Sequence, residues 1–131
     1  MPVGAVISPV SSPHGGISAG AKVLGAAGFA QAISSGRVVV EFFNYGCPYC
    51  KRAMPEVHKA ADALKEKGVK FYMISLGSPE AQMLGGQYAP GYLPGFAVFE
   101  NGQHVGSFNR EGSGDVKESY IKDRVKHLLE L

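Results

Sequence analysis

Cysteine is scarce in this chain: two among 131 residues, both inside one four-residue stretch. Two thiols cannot build a disulfide framework, nor supply four zinc ligands by themselves. Charge is sparse as well, at 18% of residues, and thirteen Lys and Arg against eleven Asp and Glu leave a net +2. So weak a balance gives no reason to expect a nucleic-acid or membrane partner. No apolar run approaches the roughly 18 residues that a membrane-spanning helix needs. What the chain does have is a core and much punctuation. Apolar residues make up 45% of it, enough at this length for one domain that needs neither disulfides nor a structural metal. Eighteen Gly and eight Pro mark many places where the backbone can turn.

The few charges are unevenly placed. Residues 1–36 carry one charged side chain, Lys22, and residues 37–131 carry the other 23. The first twenty residues hold three prolines and four glycines, with no periodicity that would bury a face. Residues 1–20 are therefore expected to form a flexible tail, and residues 21–131 the domain. The tail lacks a basic start, and Pro2, Gly4, Pro9 and Pro13 interrupt any apolar signal segment. That reading predicts a cytoplasmic protein, or a periplasmic or secreted one if the chain has been trimmed.

Beyond the tail, Lys22, Val23 and Leu24 suggest a short edge strand. Residues 28–35 read as a helix with Phe29, Ala32 and Ile33 on one face, stopped by Gly36. Val38-Val39-Val40-Glu41-Phe42-Phe43 is a continuous β-branched and aromatic run, the pattern of a strand buried on both faces. One acid, Glu41, stands in its middle. A helix opens at Cys47-Pro48-Tyr49-Cys50, carries Met54, Val57, Ala60, Ala61 and Leu64 at helical spacing, and closes at Gly68. Pro55 inside it predicts a kink. Residues 69–76 read as a strand and 79–88 as a short helix. Asn101-Gly102 between two apolar runs predicts a hairpin, and residues 116–131 a final helix. The order β-α-β-α-β-α-β-β-α implies an α/β fold: a mixed central sheet with a parallel core and a C-terminal antiparallel hairpin, flanked by helices on both faces.

Chemistry concentrates at the cysteines. A Cys-x-x-Cys at a helix start in a chain of βαβ units reads as a redox pair. Free N–H groups and the helix dipole favour a thiolate at Cys47, and Cys50, about one turn on, is placed to attack a mixed disulfide formed there. A metal or iron–sulfur site would need more ligands. His58 is nearest, eight residues past Cys50, and the other histidines are scattered, so no metal ligand set is assigned. An acid inside an apolar strand is costly to bury, which marks Glu41 as a candidate functional residue.

From about residue 23 onward the chain resembles the thioredoxin superfamily. VVVEFFNYGCPYCKRAMP, GVKFYMISL, YLPGFAVFENG and the closing amphipathic helix carry the likeness. The resemblance implies a thioredoxin fold and thiol–disulfide exchange with protein substrates, the Cys47–Cys50 disulfide being the redox group and no further cofactor being required. It implies a monomer whose disulfide is reset by a reductase or oxidase partner. Pro94 matches the family's cis-proline, exposing the Leu93 backbone to pair with a substrate strand. Pro55 matches the proline within the helix that follows the active site. Glu41 matches the family's buried acid behind the cysteines, which implies a proton acceptor for Cys50 through water, with Met73 where a lysine often stands. Other departures are Gly46 before the first cysteine where many thioredoxins have Trp, a residue this chain lacks entirely, and Gly95 where Thr commonly follows the cis-proline.

Cys-Pro-Tyr-Cys is also the motif familiar in glutaredoxins, although the glycine-and-acid segment that holds glutathione is missing downstream. The approach to the cysteines resembles periplasmic disulfide oxidases too, whose helical insertion does not fit this length. Gly46, Pro48 and Tyr49 thus form a hybrid active-site loop. Tyr45, Tyr49, Tyr88, Tyr92 and Leu93 are expected to ring the redox pair as a collar for an extended peptide. The expected function is protein thiol–disulfide oxidoreductase. A glutathione-linked or iron–sulfur carrier and a non-catalytic peptide-binding module are the alternatives.

Overall fold

The computed structural model describes residues 20–131, so the tail expected over residues 1–20 lies, apart from Gly20, outside the described residues. Strand β1 (Ala21–Leu24) is followed by a 3-10 turn (Ala26–Gly28) and a single helical turn, α1 (Phe29–Ala32). Then come β2 (Arg37–Phe43), α2 (Pro48–Leu64), β3 (Val69–Ser75), α3 (Pro79–Tyr88), β4 (Gly95–Glu100), β5 (Gln103–Asn109) and α4 (Glu118–Leu129). The expected order holds. The one marked difference is α1, half the length read from the sequence, because only Phe29 and Ile33 have a core to enter and Gly25 and Gly28 loosen its start.

The five strands form one sheet in the order β1-β3-β2-β4-β5. β3 lies parallel to both β1 and β2, while β4 runs antiparallel to β2 and β5. This is the mixed sheet that the alternation of elements implies. The hairpin turn places Asn101 and Gly102 at φ 52° and 86°, the two positive values that a tight two-residue connection requires. A bulge between Val98 and Phe99 then shifts the β4–β5 register by one residue, so that Gly95 faces Asn109.

Because β2 is central, its alternation feeds two cores. Val39 and Phe43 point into one core, with Met73, Phe96, α2 and α4. Val38, Val40 and Phe42 point into the other, with Phe29, Ala81 and Ala89. Ile121, Val125 and Leu129 fix α4 to the first core at i, i+4, i+8 spacing, each worth about 1.5–3 kcal/mol in removed apolar area. Helix α2 continues unbroken through Pro55, on buried Ala53, Val57, Ala60, Ala61 and Leu64. Among the described residues, no helix is long and apolar enough to cross a membrane.

Candidate active site

Strand β2 ends at Phe43, and residues 44–46 turn the chain into α2. Asn44 organises that turn: its Oδ1 accepts from Gly46 N at 3.1 Å and its carbonyl from Cys47 N at 3.0 Å. Cys47 is thereby set at the N-cap of α2, with Pro48 in the first turn where its missing N–H costs nothing. The sulfur acts as the cap, accepting from Cys50 N at 3.2 Å. A hydrogen bond of this kind is stronger to an anion than to a neutral acceptor.

The two thiols differ sharply. Both are free; Cys47 is partly accessible, whereas Cys50 is 1% exposed. Burial, helped by the hydrogen bond to Cys47, pushes the Cys50 thiol up to about 12. Glu41 is also 1% exposed, between Met73 on one neighbouring strand and Phe96 on the other. Neither neighbour can neutralise it, and its Oε1 has no hydrogen-bond partner. Burial, and secondarily the charge of Cys47, raise its carboxyl to about 8. Sequence position placed Met73 opposite Glu41, and the strand register does the same.

The Leu93–Pro94 peptide is cis, with Pro94 buried and Leu93 packed on the same core as Cys47 and Met54. The Leu93 carbonyl is not open, however. It accepts from Arg110 Nε at 2.9 Å, while Arg110 N donates to the Pro94 carbonyl at 3.1 Å. The Arg110 guanidinium also lies 3.7 Å from the Tyr49 ring centre and 4.7 Å from that of Tyr92. Tyr49 is flanked from another side by Arg52, 4.8 Å away and paired with Asp115 at 2.9 Å. The collar is therefore part aromatic and part cationic. Lys51 and Arg52 follow the cysteines in sequence and are expected to add positive potential there; sequence reasoning missed Arg110 and Asn109, whose Nδ2 donates to the carbonyls of Tyr92 at 3.0 Å and Ala89 at 3.2 Å.

Tyr45 and Tyr92 are exposed at 47% and 61%, as a collar requires. Tyr88 corrects that expectation. Its ring packs on Phe29, Phe99 and His104 on the opposite face of the sheet, so it is core and not collar. His58, the histidine nearest the cysteines, accepts from Ala21 N at its Nδ1, 3.3 Å away, and so ties α2 to β1. Among the described residues, no three His, Cys, Asp or Glu side chains are grouped to hold a metal ion.

Gly95 has a steric reason. A Cβ there would stand 2.7 Å from Asn109 Nδ2 and 2.9 Å from the Ala89 carbonyl oxygen, the groups that pin the loop before Pro94. Gly95→Ala is accordingly expected to destabilise the fold by about 1–3 kcal/mol, the usual range for overpacking. Urea denaturation of the variant beside the parent measures it, and an unchanged midpoint would refute the crowding.

With this geometry in hand, the chain can be placed: it belongs to the thioredoxin family, whose profile matches residues 20–126. A probable protein disulfide-isomerase A4 of Caenorhabditis elegans is 34% identical over 91 residues, covering 68% of this chain and 14% of the worm protein. The protein disulfide-isomerase of Gallus gallus is 36% identical over 109 residues, covering 81% of this chain and 21% of the chicken protein. The chain thus spans about a fifth or less of the length of these relatives. A mutant thioredoxin from Halobacterium salinarum is similar in structure, with a TM-score of 0.65 at 22% identity, covering 89% of this chain and 98% of that one.

Proposed function

We propose that the chain is a protein thiol–disulfide oxidoreductase in which Cys47 is the nucleophile and Cys50 the resolving thiol. The observation that carries this reading is the asymmetry of the pair: a partly accessible sulfur capping a helix, and a buried thiol one turn behind it that feels the charge of Glu41, a buried acid whose Oε1 has no hydrogen-bond partner. Cys47 as thiolate attacks one sulfur of a substrate disulfide, and the other substrate sulfur leaves with the bond's electron pair and takes a proton. Cys50 then gives its proton to the Glu41 carboxylate and attacks Cys47. The mixed disulfide breaks, the Cys47–Cys50 disulfide forms, and the second substrate thiol departs. Two electrons and two protons have passed to the substrate, and the reverse sequence oxidises a dithiol.

Glu41 suits its part because its affinity for protons lies near neutrality. With a carboxyl at about 8, roughly a tenth is ionised at pH 7 and ready to accept a proton. The disulfide is itself the redox group, and a second protein resets it. Kinship with protein disulfide-isomerases supports protein substrates. Insulin reduction by dithiothreitol provides the test. The wild-type protein is expected to accelerate precipitation of the insulin B chain, and a peptide-binding module without exchange chemistry would leave it at the uncatalysed rate.

A further inference from the structure

Arg110 is more elaborately held than an ordinary surface arginine. Its Nε is fixed on the Leu93 carbonyl, its Nη1 on the Gly112 carbonyl, and its Cζ lies over the rings of both Tyr49 and Tyr92. A guanidinium has five N–H donors, and these two bonds use two of them. Its charge is also unbalanced. Arg37 has Glu100 and Arg52 has Asp115, but among the described residues no carboxylate lies within ion-pair distance of Arg110.

We propose that Arg110 forms a carboxylate-binding subsite at the rim of the redox pair and takes an Asp or Glu side chain near the reacting cysteine of a substrate or redox partner. The inference rests on the exchange reading above and sharpens its substrate class. The position follows from the contacts. Tyr49 lies inside the Cys47–Cys50 turn and Leu93 immediately before Pro94, so a guanidinium touching both borders any peptide whose sulfur reaches Cys47. At about 3.3 Å per residue, a side chain one or two positions from that sulfur comes within range. Preorganisation favours a two-pronged grip on a carboxylate, because the fork is already oriented, and lysine could not reproduce it. Exposed Lys51 next to the site adds positive potential that draws acidic segments in.

The test uses pairs of disulfide-bonded peptides that differ only in Asp or Asn at one of the two positions on either side of the cysteine. In the wild-type protein, kcat/KM is expected to favour Asp by roughly threefold to tenfold at the best position, less at high salt. Arg110→Gln should bring that ratio to about one, and Arg110→Lys should retain only part of it. Arg37→Gln removes the same charge at the far end of the sheet and should preserve the ratio. A merely structural Arg110 would change both peptides' rates together and leave the ratio intact, which overturns the proposal. If Arg110→Gln fails to fold, the wild-type ratio and its salt dependence decide alone: a ratio of one or less at every position refutes the subsite. Reduction of insulin by the wild-type protein with dithiothreitol separates the two levels. Its absence removes the exchange reading, whereas its presence with no Asp preference removes only the subsite.

Discussion

Cys47→Ser is expected to reduce insulin reduction to the uncatalysed background, whereas Cys50→Ser should stop after one step and accumulate a mixed disulfide. The contrast follows from position. Cys47 is the partly accessible sulfur at the helix end, and removing it leaves Cys50 1% exposed, with the burial that is the largest cause of its raised pKa still in place. A buried thiol that is mostly protonated at pH 7 cannot take over the attack. In Cys50→Ser the first attack survives, but nothing is one turn away to release the substrate. Mass spectrometry of the variant after incubation with a disulfide peptide should show the adduct, removable by dithiothreitol. Iodoacetamide at pH 7 should label Cys47 of the wild-type protein well before Cys50. Equal labelling, or full activity in Cys47→Ser, would reverse the assignment of roles.

Much of this arrangement was legible because it is local. The run from Val38 to Phe43 announces a strand buried on both sides, and a lone acid inside such a run must be buried with it. A proline next to a cysteine at the start of an apolar-periodic segment announces a helix start. Asn101-Gly102 fixes a hairpin. Arg110 was not legible, because its role depends on counting outward from that turn. The bulge at Val98 and Phe99 adds one residue to the count, and only then does Asn109 fall opposite Gly95 and Arg110 beside Pro94. Tyr88 failed for a related reason. It stands among the tyrosines expected to ring the redox pair, but the last turn of α3 faces the other side of the sheet. The glycine after Pro94 looked like a departure from a family habit. Its cause, the side chain of Asn109, is fourteen residues away and visible only in three dimensions.

Glu41→Gln should separate the acid's chemical use from its structural cost, because the two move in opposite directions. In the unfolded chain the carboxyl titrates near its ordinary value of 4.5, and in the folded protein at about 8. The folded-state value is the higher one, so the sign is that of a group which favours folding when protonated. Below 4.5 it is protonated in both states and carries no penalty. As pH rises from 4.5 toward 8, folding must hold a proton that the unfolded chain has released. Stability then falls by about 1.4 kcal/mol per pH unit, and above 8 the loss levels off at roughly 5 kcal/mol. Glutamine occupies the same space, between Met73 and Phe96, and has no proton to hold. The variant is expected to gain roughly 3 kcal/mol over the parent at pH 7 and little or nothing at pH 4, as read by urea denaturation of the reduced proteins. Its disulfide exchange should slow by roughly tenfold to a hundredfold, at or below the low end for losing a general base, because water can carry part of the proton traffic. The wild-type rate limb that rises as Glu41 ionises, toward pH 8, should vanish with it. A variant less stable than the parent at pH 8 would show that the buried carboxylate is paired after all. A more stable variant with undiminished exchange would show that Cys50 gives its proton elsewhere.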